Sequence, residues 1–162
     1  MLAMPTLVLI EHRVPSRFGR LRLFADDTHL VGLHFEGRPA PAGGVRRGSP
    51  VIDHAAEELA EYFAGRRRDF RVPIKLAGTA FQREVWTALC AIPYGETRTY
   101  GELAQLLDRP AASRAVGAAN GQNPISILVP CHRLVGSSGQ LIRYGGGLAM
   151  KRWLLDLESN SC

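Results

Sequence analysis

Cys131 followed directly by His132 is the pairing in this chain best suited to covalent chemistry. Sulfur attacks as the thiolate, and at an ordinary pKa of ~8.5 only a small fraction is ionised at neutral pH, so a base or a positive charge must stand beside it. His132 and Arg133 are the nearest candidates. The apolar run Ile125-Ser126-Ile127-Leu128-Val129 predicts a buried strand or extended segment, and Pro130 restricts how the chain leaves it, so Cys131 is expected to be held in one place. A cysteine beside a histidine also occurs in inert cores. The elements around the pair decide between the two.

The 162 residues suffice for one compact domain or two small ones, and 46% hydrophobic with 22% charged residues is an ordinary globular composition. Twenty Lys+Arg against fifteen Asp+Glu give a formal charge of +5, which permits nucleic-acid binding without requiring it. Three cysteines without a CxxC pair point away from a disulfide framework and from a cysteine-rich zinc site, and towards a reducing compartment. The first ten residues lack a signal-peptide pattern, and no run reaches the eighteen or so apolar residues of a membrane span, so a cytoplasmic, non-membrane protein is expected, nucleoid-associated if bacterial.

Alternation predicts strands over 6–12, 20–24 and 30–35, with Gly19 and Asp26-Asp27 at the turns, hence a small antiparallel sheet. Gly37 to Pro50 reads as an exposed loop. A helix over 53–64 would cover the sheet with Ala56, Leu59, Ala60 and Phe63, leaving Glu57, Glu58 and Glu61 in water. Arg66-Arg67-Arg68 suits the C-terminal end of that helix as well as it suits DNA. A last strand and linker over 72–78 then closes an N-terminal α/β domain, 1–77.

The second domain, 78–162, is mainly helical. Capping boxes at Thr79…Gln82 and Thr99…Glu102 start two helices, the first carrying Phe81, Val85, Trp86 and Leu89, with Cys90 as a small core residue. The second runs to Leu107, Asp108-Arg109-Pro110 turns the chain, and 111–120 makes a further helix, which together form a helix-turn-helix pattern. That last helix is nearly all Ala and Gly, with Arg114 its one long side chain. It lacks the rows of polar side chains that read base edges. A slim helix could enter a minor groove only ~6 Å wide more easily than a bulky one, particularly if the groove widens, and small residues equally suit tight packing inside the protein. Turns follow at 136–139 and 144–147, and the final helix over 148–158 sets Lys151, Leu154 or Leu155, and Glu158 along one face.

Together, Gly78-Thr79-Ala80-Phe81-Gln82 with Val85-Trp86, residues 92–97, Ala112 with 114–117, Asn123-Pro124, residues 129–133, and Tyr144 with Gly146-Gly147-Leu148-Ala149 and Lys151 resemble the O6-alkylguanine-DNA alkyltransferases (methylated-DNA-protein-cysteine methyltransferases). The resemblance is nearly continuous from Gly78 to Glu158 and weaker before it. It implies a ribonuclease-H-like N-terminal domain and a winged-helix-like C-terminal one. It implies single-turnover transfer of the alkyl group from O6 of guanine, and also from O4 of thymine, to Cys131. His132 would act on the thiol through a water, oriented by Glu158. Asn123 would brace the turn holding the two DNA-binding helices, and Tyr100 would donate to guanine N3. Arg114 would fill the stack after the base is flipped out through the minor groove.

By the same resemblance, the carbonyls of Val129 and Cys131 and the amides near Tyr144 and Gly145 would form the base pocket, with Lys151 supporting the site or DNA. Gly101, Arg109, Ser113 and Ser137 would meet the DNA. It implies no metal and no cofactor, and as partner double-stranded DNA bearing O6-alkylguanine, bound by a monomer with cooperativity along DNA left open. Arg143 departs from the small or polar residue of many relatives, which puts acceptance of bulky alkyl groups in question. Two other classes stay open: a cysteine hydrolase that turns over, and a helix-turn-helix protein that binds lesions without repairing them.

Overall fold

A computed structural model of the protein describes residues 8–13, 18–39 and 48–160, with the side chains of 8–13 left out. Thr6 and Leu7 of the first expected strand, residues 40–47 of the expected loop, and Cys162 lie outside these. The chain divides into two compact units, Met1–Leu76 and Ala77–Cys162.

In the first unit β1 (Val8–Arg13), β2 (Arg20–Ala25) and β3 (Leu30–Phe35) form an antiparallel sheet in the order β1-β2-β3. The tight link between β2 and β3 is an Asx turn: Asp26 Oδ1 accepts from the amides of Thr28 and His29 at 2.8 and 2.7 Å. Lys75 Nζ reaches the other oxygen of Asp26 at 2.7 Å. The helix α1 (Pro50–Phe63) packs on β2 and β3. It begins three residues before the expected start, because Ser49 caps the Ile52 amide and Pro50 needs no amide partner in the first turn.

Its buried face also differs from the expected one. Ile52, Ala55, Leu59 and Tyr62 point inward, while Ala60 is exposed. Glu58, expected in water, is buried, since its carboxylate accepts from the amides of Arg71 and Val72 and pairs with Arg67 at 2.8 Å. Arg67 also meets Glu61 at 2.8 Å, so the middle arginine of the triplet ties this unit together. The expected strand over 72–78 reduces to one bridge, Ile74 with Leu30.

The second unit holds α2 (Ala80–Cys90), α3 (Tyr100–Leu106), α4 (Ser113–Gly121) and α5 (Leu148–Asn160). Both capping boxes are formed. Helix α2 stops at Cys90, and Cys90 is exposed instead of lying in the core. Asp108, at φ 57, lets the chain reverse between α3 and α4, and α4 starts at Ser113 because residues 111 and 112 still belong to that turn. Trp86 is 2% exposed, and its Nε1 donates to the Ala119 carbonyl at 2.8 Å, binding α2 to α4. A short parallel pair, too brief to show an alternating pattern in sequence, is also present: β4 (Arg98–Thr99) runs beside β5 (Leu134–Val135). It places the first turn of α3 next to the segment that follows Cys131.

Candidate active site

The segment 125–129 is a tight buried turn, not the strand its apolar run predicted. The Val129 amide returns to the Ile125 carbonyl at 3.0 Å, and the Leu128 amide to that of Ser126 at 2.9 Å. Ile127 takes φ 75, a left-handed conformation costly for a β-branched residue and one that persists only where its surroundings enforce it. Asn123 supplies that enforcement. Its Oδ1 accepts from the Ile125 amide at 2.9 Å and its Nδ2 donates to the Val129 carbonyl at 2.8 Å. The asparagine therefore braces the turn that leads from the end of α4 into Cys131.

Cys131, His132 and Arg133 form one 3-10 turn, started after Pro130. Cys131 is 5% exposed. Burial pushes its thiol up, opposed by hydrogen bonds from the Asn123 and Ser126 side chains and by the charge of Lys151. Ser126 was not singled out from sequence, because a lone serine inside an apolar run gives no signal of its own.

His132 and Glu158 are both wholly buried, with His132 Nε2 2.8 Å from Glu158 Oε2. Burial alone would raise the Glu158 carboxyl, but the hydrogen bonds and charges of His132 and Arg133 hold it down to about 2. A carboxylate that stays ionised only accepts, so the shared proton sits on His132 Nε2 and leaves Nδ1 as the basic nitrogen. Nδ1 is buried and meets no hydrogen-bond partner in the protein. Burial lowers the pKa of His132, keeping it neutral at ordinary pH. Arg133, expected as a direct activator of the thiol, is turned to Glu158 instead: Nε donates to Oε1 at 2.8 Å, Nη2 to Oε2 at 2.9 Å, and Nη1 to the Ile92 carbonyl at 2.7 Å.

Lys151 shares the buried face of α5 with Met150, Leu154 and Glu158 and has no exposed surface, so it is neither a solvated ion pair nor open to DNA. Its Nζ donates to the carbonyls of Ile142 and Arg143 at 2.9 and 3.4 Å, and burial pushes it down to about 8. It thus supports the loop that carries exposed Arg143, whose φ of 30 is again strained. Tyr144 in that loop stands edge-on to the His132 ring, 6.4 Å between centroids, and Gly145 is exposed in the turn closed by the Gly147 amide on the Tyr144 carbonyl. The Val129 carbonyl already accepts from Asn123 Nδ2 and the Cys131 amide, and the Cys131 carbonyl accepts at the end of the 3-10 turn.

Tyr100, half-buried at the start of α3, lies against Gly117 of α4, where an added Cβ would come to 3.7 Å from its ring. Burial raises its hydroxyl pKa, as does the neighbouring Cys131, while Arg143 pulls the other way, so sulfur, phenol and guanidinium share one neighbourhood. Gly101 faces Ser113 across the two helices, Arg114 is exposed on α4, and Ser137 is exposed in the turn after β5. Arg109 is engaged on α2, 3.2 Å from Glu84 and over the Phe81 ring at 5.1 Å. Among the described residues no cluster of His, Cys, Asp or Glu could hold a metal, and no helix is long and apolar enough to cross a membrane.

Two family models match nearly the whole chain: "6-O-methylguanine DNA methyltransferase, ribonuclease-like domain" over residues 9–76, and "6-O-methylguanine DNA methyltransferase, DNA binding domain" over residues 80–160. A methylated-DNA--protein-cysteine methyltransferase of Mycolicibacterium paratuberculosis is 47% identical over 154 residues, 93% of each chain. One from Methanosarcina mazei is 52% identical over 133 residues, 82% of this chain and 84% of the other. The crystal structure of Mycobacterium tuberculosis OGT in complex with DNA superposes with TM-score 0.86 at 43% identity, covering 96% of this chain and 94% of that one.

Proposed function

The chain belongs to the 6-O-methylguanine DNA methyltransferase family, and we propose that it repairs DNA by moving the alkyl group of O6-alkylguanine irreversibly onto Cys131. The observation that carries this reading is the buried thiol of Cys131 followed directly in the chain by a buried imidazole whose Nε2 is bonded to Glu158 at 2.8 Å and whose Nδ1 is left as base.

In this reading His132 Nδ1 takes the thiol proton, directly or through one water. The sulfur then displaces the alkyl carbon, an S–C bond forms as the C–O6 bond breaks, and guanine leaves. Tyr100 donates a proton to guanine N3, and the proton taken up by His132 then passes through water to the Tyr100 phenolate, so that both groups end neutral. The thioether that results is not cleaved by water, so each molecule acts once. O4-alkylthymine offers the same leaving-group chemistry and is read as a second substrate.

The alkylated oxygen lies inside a duplex, so the base must be flipped out at a cost of a few kcal/mol. Helices α3 and α4 are read as the helix-turn-helix of a winged-helix-like domain laid in the minor groove, with Arg114 filling the vacated stack and Tyr100, Gly101, Ser113 and Ser137 against the backbone. Residues 78–162 are thus the DNA-binding and transfer domain, and residues 1–77 a ribonuclease-H-like domain. Backbone groups near Tyr144 and Gly145 take the base. The chain acts on DNA as a monomer, in the cytoplasm.

Incubating the protein with a methylated duplex tests the proposal. A mass gain of one methyl on the Cys131 peptide is expected, with product equal to protein added. Cys131→Ser should bind DNA yet transfer nothing. Repair with Cys131 unmodified, or hundreds of turnovers per molecule, would contradict it.

A further inference from the structure

Three buried side chains, Glu158, His132 and Arg133, and the backbones of Gly95 and Ile92 form one network around the Glu158 carboxylate. Its Oε2 accepts from His132 Nε2 and Arg133 Nη2, and its Oε1 from Arg133 Nε and, at 3.4 Å, the Gly95 amide. Arg133 is itself fixed at its third corner by the Ile92 carbonyl and lies 5.8 Å over the Tyr94 ring. A guanidinium gripping a carboxylate by two parallel bonds fixes both its plane and its charge. The relay read from the sequence needs Glu158 and His132 only, and it gives Arg133 nothing to do.

We infer that Arg133 is a positioning residue which, by holding Glu158 through its two-pronged contact, keeps His132 a neutral imidazole protonated on Nε2 and so keeps Cys131 a resting thiol until substrate arrives. With Glu158 alone beside it, His132 would sit next to an unbalanced buried anion and would be drawn towards imidazolium, which in turn draws the thiol towards thiolate. Arg133 cancels that anion. Among the other groups near His132, Lys151 of α5 carries a cation that also disfavours imidazolium, the Tyr144 ring stands edge-on at 6.4 Å, and Cys131 is the residue before it in the chain. The thiol proton therefore leaves only when the alkyl carbon is in place, which protects a cysteine that can be used once from stray electrophiles. The inference rests on the proposed role of Cys131 and His132.

Nitrogen-15 NMR of His132 and alkylation of the Cys131 peptide by iodoacetamide, both followed against pH in the full-length protein, test it. In the unaltered protein the imidazole is expected neutral and Nε2-protonated at pH 7; imidazolium, or a proton on Nδ1, overturns the inference. Arg133→Gln is expected to raise the His132 pKa by about one unit and to speed carbamidomethylation of Cys131 at pH 7 about tenfold. Glu158→Gln is expected to move the His132 pKa the opposite way. Loosened packing alone would speed alkylation in both variants without opposite shifts, and that pattern also overturns it. Should Arg133→Gln not fold, Arg133→Lys keeps the cation without the fork; mixed His132 tautomers support the positioning role, and an unchanged single tautomer refutes it. Absence of a methyl on Cys131 after exposure to methylated duplex would instead sink the proposed transfer, whatever His132 does.

Discussion

At the level of single residues, Glu158 and Asn123 do the most to hold the cysteine ready. The Glu158 carboxyl ionises at about 2 in the fold against an ordinary 4.5. A depressed carboxyl contributes stability that is fully present above its unfolded value and is lost as pH falls through its folded one. Melting temperature should therefore drop between pH 5 and pH 2, and Glu158→Gln should flatten part of that drop while lowering stability at neutral pH, as calorimetry across the range would show. Asn123→Ala leaves the Ile125 amide and the Val129 carbonyl short of a partner beside a strained Ile127, all buried. A loss of roughly 1–3 kcal/mol in denaturant unfolding is expected. The rate of transfer to Cys131 should fall with it, since the same side chain also reaches the thiol.

Among the elements, α4 is thin on purpose: Gly117 admits the Tyr100 ring, Val116 and Ala119 pack inward, and Arg114 is left exposed. If Arg114 fills the stack as proposed, Arg114→Ala should slow repair of the lesion in duplex far more than reaction with the free alkylated base, and equal losses on both substrates would remove it from the proposed flipping step. The helices were legible in the sequence because both capping boxes and the stripe of Val85, Trp86 and Leu89 are local signals. So was the clustering of Cys131, His132 and Glu158, though only through the resemblance, since nothing local joins residue 158 to residue 132. What sequence hid was non-local. The turn at 125–129 looked like a strand because its apolar residues are buried, and burial does not specify φ. Glu58 looked solvated because its partners, the amides of Arg71 and Val72, carry no sequence signature. Arg133 read as a neighbour of the thiol until its fork on Glu158 was seen.

On the scale of the whole molecule, a formal charge of +5 spread over 162 residues gives only a modest attraction to DNA. Undamaged duplex should bind with a dissociation constant on the order of 10⁻⁴ to 10⁻⁶ M near physiological salt, weakening as salt rises, because phosphate contacts release counterions. Fluorescence anisotropy at several salt concentrations checks this, and affinity indifferent to salt would mean that phosphates are not what the protein grips. Such looseness would suit the proposed single-use repair, which requires much DNA to be inspected for each reaction. The indole of Trp86, enclosed and tethered to the Ala119 carbonyl, gives the protein a built-in optical gauge. With Trp153 the only other tryptophan, replacing Trp153 by Phe leaves one emitter, whose wavelength would register any slide of the Arg114 helix in real time and without a label.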